Sequence, residues 1–374
     1  MKILFVTFFF PKLTETFILN QITNLLDLGV GVEIAAIKNP SKTLAVEDRE
    51  LEKITQPDIK NYDLASLVTY FPKIGQNIDS QSLLEFVNRK KFDVVHIHWS
   101  GLAEEILKDI VFPVPLVVTF QETVIPRDWD TKTRSYNNIF RKANLILPAS
   151  KYLRESLINF GCPKNKLRVH HMGVDTKLFK PCQKKKGEKT NILSVGSFIY
   201  KKGFQDAIEV IKKIKEDGYN FHYVLVGDGQ LKPLLKRKVE KYNLKEFVDF
   251  RGKLNHTDLI EEYKKADIVF QPSVTAPDGS HEGIPTVLIE ASSCSLPVVS
   301  TFHTGIPELV SHSNSGFLAK EGSITSLADY LEILIKNPKL RERFGVRGRK
   351  IVVKDFNIKN LTNDMMNQYK SFKK

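Results

Sequence analysis

Ser280-His281-Glu282-Gly283-Ile284-Pro285-Thr286-Val287-Leu288-Ile289-Glu290-Ala291 is the stretch whose reading decides the fold. It follows an apolar run, Asp267–Gln271, that reads as a strand, and a polar loop from Pro272 to Ser280. Its second half reads as a helix. Pro285 suits the first helical position, where a missing N–H costs nothing. Glu282 then stands just before the helix, and Glu290 more than a turn inside it. Between them lie unpaired backbone N–H groups and the positive end of the helix dipole, a ready site for phosphate. Two acceptor groups flanking an anion site suit a ligand with hydroxyls at both ends and phosphates in the middle. A nucleotide sugar is such a ligand. Two solvated glutamates favoured by a helix dipole are the plainer reading of the same residues.

The pattern E-G-I-P-x-x-L-x-E-A resembles the E-x7-E signature of retaining GT-B glycosyltransferases of the GT4-like family. The resemblance implies that Glu282 contacts the donor sugar and Glu290 the ribose hydroxyls, with Gly283, Ile284 and Pro285 at the donor site. Further residues extend it. Asn191–Val195 reads as a strand that leads through Gly196-Ser197 to Lys201-Lys202-Gly203 and a helix from Gln205. This resembles the family's G-R-x-x-x-x-K-G loop, in which Arg and Lys hold the donor diphosphate. Lys202 takes the Lys place, and Ser197 stands where Arg is common. That exchange removes a permanent charge and a bidentate fork. Val226-Gly227-Asp228-Gly229 resembles the family's glycine turn beside the base, and a simple turn accounts for it equally well.

The N-terminal half opens with a continuous apolar run, Ile3–Phe10, as expected of a strand buried on both faces of a parallel sheet. Helical spacing of Ile18, Ile22, Leu25 and Leu26 follows, then a strand at Val32–Ile37. This β-α-β opening lacks G-x-G-x-x-G, so no dinucleotide fingerprint is present. F-P-K-L-T-E-T-F-I resembles the opening of a polysaccharide-building branch of the family, which places Thr14 and Glu15 on the acceptor side; a helix cap explains them as well. Asn39–Pro72 reads as irregular chain with short helices. Asp93–His98 reads as a strand and Trp99-Ser100-Gly101 as its loop. His96 and His98 share one face. His98, at the strand end, is the ligand-facing candidate, and two histidines without a third ligand make no metal site. Gln121 follows the strand Val114–Phe120 where the family has His, and an amide cannot carry a proton charge. Leu167–Pro181 resembles the segment that leaves the family's first domain.

The 374 residues carry a formal charge of +13, which points to an anionic partner. No recognition helix or aromatic-basic motif supports nucleic acid. Cys162, Cys182 and Cys294 form neither a metal cluster nor an even disulfide set. No run is long enough to cross a bilayer. Lys132, Arg134, Arg141, Lys142, Lys151, Arg154, Lys164, Lys166, Arg168 and Lys177 form a dense basic group.

These readings set the expectations. The fold is α/β and GT-B: two Rossmann-like doubly wound domains facing a cleft. Residues 1–183 form the acceptor-side domain, with a helix at 357–374 packed back on it. Residues 184–356 form the donor domain. The activity is transfer of a hexose from a nucleotide-diphosphate sugar to a cell-surface glycan or polyprenyl-diphosphate-linked acceptor, with Glu282 and Lys202 catalytic. No cofactor and no metal is required, and nucleic acid is not a partner. The location is cytoplasmic and peripheral to the anionic inner face of a membrane. Two rivals stand: a sugar-nucleotide 2-epimerase, and a weakly active transferase-like binding subunit.

Overall fold

A computed structural model describes residues 1–8, 10, 16–37, 62–71, 73–74, 77–121, 136–182, 187 and 189–373. They fall into two compact units.

The first unit is built on the apolar opening of the chain. Its strands are β1 (Lys2–Thr7), β2 (Gly31–Ala36), β3 (Val68–Tyr70), β4 (Lys73–Ile74), β5 (Asn77–Ile78), β6 (Val94–His98), β7 (Leu116–Phe120) and β8 (Leu145–Pro148). Six of them form one parallel sheet in the order β3-β2-β1-β6-β7-β8, while β4 and β5 pair separately and antiparallel. Ile3, Leu4, Phe5 and Val6 are all fully buried, because apolar residues cover both faces of β1. On one face Ile3 and Phe5 meet Ile18, Ile22 and Leu25 of the helix Thr16–Asp27 and Met365, Met366 and Tyr369 of the helix Ile358–Ser371. On the other, Leu4 and Val6 share a core with the helices Ser80–Lys90 and Ser100–Leu107.

Three local readings change. Trp99-Ser100-Gly101 is not a loop, since a helix begins at Ser100. Trp99 turns the chain in a single residue with φ +81°, and its side chain caps nothing, so no capping signal announces the helix. Val68–Tyr70, read as part of an irregular stretch, pairs with β2 as an edge strand. A short helix at Asn137–Lys142 also escapes the sequence reading.

The second unit repeats the design with β9 (Thr190–Val195), β10 (Phe221–Val226), β11 (Val248–Gly252), β12 (Ile268–Gln271), β13 (Val298–Thr301) and β14 (Gly316–Ala319). All run parallel in the order β11-β10-β9-β12-β13-β14. The unit begins at Gly173, ahead of the lysine-rich stretch where the sequence changes character. Val174 and Phe179 lie in its core, and Arg349 donates to the carbonyls of Thr176 and Phe179, both at 3.1 Å. Pro285 lies one place outside the helix Thr286–Ser293, not at its first residue: its ψ of 126° is extended.

In each sheet the strand order reverses once, between β1 and β6 and between β9 and β12. Ligands of doubly wound sheets bind outside the carboxyl ends of the strands at such a reversal.

Candidate active site

The reversal in the second unit gathers the residues picked out by the sequence. Chain leaving β9 runs through Gly196 into a short 3-10 turn, Tyr200–Lys202. Gly203 ends that turn with φ +71°. A Cβ on Gly203 would sit 1.7 Å from the carbonyl oxygen of Pro272, just beyond β12. Only glycine permits both the backbone angle and this approach. Gln271, the last residue of β12, donates its amide to the carbonyl of Lys202. The two exits are thereby locked side by side.

Lys202 Nζ lies 2.7 Å from Oε2 of Glu282, and Lys201 Nζ lies 3.2 Å from Oε1. The second contact is an ion pair without an aligned hydrogen bond. Glu282 is 8% exposed. Burial opposes its ionisation, but Lys202 and then Lys201 outweigh it and hold the carboxyl below its ordinary range. Two ammonium groups thus share one carboxylate, leaving a positive excess. The stem of Lys202 crosses Gly196, where an added Cβ would lie 3.5 Å from its Cε. The glycine turn after β10 presses on the same loop: a Cβ on Gly227 would meet the carbonyl oxygen of Gly196 at 1.9 Å, and one on Gly229 the backbone of Phe198 at 2.7 Å. Ser197 is exposed. Ile284 is buried beneath the entrance to the helix. At that entrance, Thr286 and Val287 have no intrahelical acceptor for their N–H groups.

Glu290 keeps different company. Its Oε2 accepts the Tyr263 hydroxyl at 2.8 Å, within a fully buried setting. Burial pushes its carboxyl above the usual range, with His256 and Tyr263 acting in the opposite sense. The structure therefore brings Glu282, Lys202 and Gly196 together and leaves Glu290 to Tyr263.

Gly283 and Glu282 are held through the main chain. The Glu282 N–H donates to Nε2 of His303 at 3.0 Å, and the Thr304 hydroxyl faces the carbonyls of Glu282 and Gly283 at 2.7 and 3.0 Å. Sequence reading missed Lys201, Gln271, His303 and Thr304. Lys201 was the most accessible of these, as the neighbour of Lys202. Gln271 ends β12, and His303 and Thr304 leave β13, so they reach the site from strand ends far from Lys202 in sequence.

In the first unit, the candidates His98 and Gln121 end β6 and follow β7. Gln121 Nε2 lies 3.2 Å from His98 Nδ1. With Nδ1 accepting, the ring proton is assigned to Nε2, which has no partner among the described residues; Gln121 Oε1 has none among them either. Burial, reinforced by His170, pushes His98 down to about 3, so the ring is neutral at physiological pH. His96 is a core residue: Nδ1 meets the Tyr369 hydroxyl and Nε2 the Thr119 hydroxyl, both at 2.6 Å. Thr14 and Glu15 lie outside the described residues.

Two doubly wound α/β units, the second with a lysine–carboxylate cluster at its reversal, define the GT-B class. The model of the glycosyl transferases group 1 matches residues 175–351, and that of glycosyltransferase family 4 matches residues 14–178. The amylovoran biosynthesis glycosyltransferase AmsK of Erwinia amylovora is 33% identical over 365 residues, covering 88% of this chain and 90% of that one. The putative colanic acid biosynthesis glycosyltransferase WcaL of Escherichia coli (strain K12) is 30% identical over 369 residues, with coverages of 88% and 90%. Among solved structures, Anabaena Alr3699/HepE in complex with UDP superposes with a TM-score of 0.78 at 18% identity, covering 99% of this chain and 100% of that one. That likeness speaks for the fold. The chain belongs to the GT4-like family of GT-B glycosyltransferases.

Proposed function

We propose that the chain is a retaining transferase that moves a hexose from a nucleotide-diphosphate sugar to a growing extracellular polysaccharide or its polyprenyl-diphosphate-linked precursor. The observation that carries this reading is the pair of lysines on one buried carboxylate beside a helix entrance. Their excess positive charge, in a poorly solvated place, calls for an anion. A donor diphosphate meets that need. On binding it takes over Lys201 and Lys202 and leaves Glu282 to the sugar hydroxyls. Glu290 receives the ribose. Lys201 then supplies a second cation where Ser197 offers none.

The bond from the anomeric carbon to the leaving phosphate oxygen breaks as the acceptor oxygen attacks from the same face. The acceptor proton passes to that phosphate oxygen. The two lysines and the helix entrance stabilise the charge that develops there. No side-chain base is needed, in keeping with the weak basicity that burial gives His98 and with Gln121, whose amide carries no proton charge, and no metal is called for. The names of the two relatives favour an exopolysaccharide product, and the UDP held by HepE favours a nucleoside diphosphate.

A lipid-linked acceptor requires approach to an anionic leaflet, where each nearby Lys or Arg contributes about 1 kcal/mol. The basic group that would serve is smaller than the sequence implies. Lys132 and Arg134 lie outside the described residues. Lys142 donates to the carbonyls of Leu107 and Ile110, and Lys166 to those of Phe140 and Arg141. Lys177 belongs to the second unit. Of the rest, Arg141 donates to the Asn138 side chain, Arg154 pairs with Glu155 and Arg168 donates to the carbonyl of Leu167. Among the described residues no helix is long and apolar enough to cross a membrane.

The test is incubation with a panel of sugar nucleotides, with glycan acceptors or lipid-linked acceptors in anionic or neutral vesicles. Nucleoside diphosphate should be released when an acceptor is present, with the donor's anomeric configuration kept in the product by NMR. Flotation on anionic vesicles alone, reversed by salt, is expected. Inverted product, or no release with any donor, would refute a retaining transferase; equal flotation on neutral vesicles would refute electrostatic docking on a membrane.

A further inference from the structure

The carboxylate of Glu282 faces the lysines, but its direction is set from behind. Nε2 of His303 accepts the Glu282 N–H at 3.0 Å. An accepting Nε2 leaves the ring proton on Nδ1, which lies 2.6 Å from Oε1 of Glu321. The other oxygen of Glu321 accepts the Thr275 N–H at 2.7 Å. Burial opposes ionisation of Glu321, yet His303 and the Thr275 N–H prevail and hold it below the ordinary carboxylate range. It is therefore a fixed acceptor for Nδ1–H, and it selects the one neutral tautomer whose Nε2 can receive the loop.

His303 and Thr304 leave β13, Glu321 leaves β14, and Thr275 lies beyond β12. Three strand exits thus converge, through His303 and Thr304, on the backbone of Glu282. His303 is fully buried, and Thr304 adopts φ +43°, an uncommon angle for a β-branched residue. Such an angle persists where the surroundings over-determine it, and it clusters at functional sites. With the Glu282 N–H held by His303 and its carbonyl by Thr304, the peptide units on both sides of the Glu282 Cα are anchored.

We propose that His303, locked as the Nδ1–H tautomer by Glu321, is a positioning residue that aims the Glu282 carboxylate at the donor sugar. The inference rests on the proposed contact between Glu282 and the sugar hydroxyls. A displacement of about 1 Å near a reacting centre costs on the order of 100-fold in rate. Among the described residues no hydrogen bond or ion pair joins His303 to Lys201 or Lys202, so its loss should spare the grip on the diphosphate.

The test compares His303→Ala, His303→Gln and Glu321→Ala. In His303→Ala, kcat should fall about 10- to 100-fold, while the Kd for UDP or the preferred nucleoside diphosphate changes less than about twofold. A glutamine can offer an amide oxygen to the Glu282 N–H and an amide N–H to Glu321, so His303→Gln should restore most of kcat. Because the two residues act in series, adding Glu321→Ala to His303→Ala should cost nothing more. Amide exchange of Glu282, measured without nucleotide, should quicken in both alanine variants and stay slow in His303→Gln. Unchanged exchange at Glu282 would overturn the proposal even where no donor is known. So would parallel losses of kcat, nucleotide affinity and Tm that glutamine fails to rescue. A wild-type chain that binds no nucleoside diphosphate, with exchange behaving as described, would instead refute the proposed function.

Discussion

The carboxyls of Glu282, just before the helix Thr286–Ser293, and of Glu290, inside it, are shifted in opposite directions. The carboxyl of Glu282 is lowered in the folded state, so its contribution to stability is complete above the ordinary value of 4.5 and is lost as pH falls through the folded value. Glu290 is raised from the same 4.5, so its ionisation costs stability as pH climbs from that value through the folded one. At pH 7, Glu282→Gln should therefore lower stability by about 3 kcal/mol, since it leaves two poorly solvated lysines without a counter-charge. Glu290→Gln should leave stability equal or higher, while weakening nucleoside diphosphate binding by about 1.5–3 kcal/mol. Thermal denaturation from pH 4 to 8, with titration calorimetry at pH 7, checks both. Unchanged nucleotide affinity in Glu290→Gln would remove Glu290 from the ribose. The closeness of Glu282 and Lys202 was legible because each sits in a short pattern of fixed spacing. His303 and Glu321 were not: a hydrogen bond between strand exits leaves no periodicity in the chain.

The strands and most helices were legible for a related reason. A parallel strand buried on both faces is written as an apolar run, and β1 and β12 read that way, while β9 does so with Ser194 inside it. The helix at Ser100 was hidden because it starts on a strained tryptophan instead of a polar cap. The strand Val68–Tyr70 was hidden by its length and by its place at the sheet edge. At this scale the loop from β9 to the helix Phe204–Glu216 decides whether the lysines reach their partner. Gly203→Ala should cost about 2–3 kcal/mol, because it combines a left-handed angle with a collision against Pro272. Displacing Lys201 and Lys202 should reduce turnover further than the lost stability explains. Chemical denaturation and steady-state kinetics below the melting range separate the two effects. An alanine variant with wild-type turnover would show that the close packing of the two exits is dispensable.

At the scale of the molecule, the chain does not finish its units in the order in which it is made. The helix Ile358–Ser371 belongs to the first unit, yet it is synthesised after all of the second. Its Met365, Met366 and Tyr369 cover Ile3, Phe5, Val94 and Val117, and the Tyr369 hydroxyl meets buried His96 at 2.6 Å. During translation at about 5–20 residues per second, the second unit takes on the order of ten seconds or more to emerge. For that interval one face of the first sheet lacks part of its cover. A chain stopped after Asn357 should bind a hydrophobic dye and exchange the amides of β1 and β6 quickly, with β9 and β12 still protected. Full protection of β1 in that chain would contradict this. The nascent first unit is accordingly a client for whatever shields apolar surface at the ribosome, and its exposure is timed by the length of the unit that follows it.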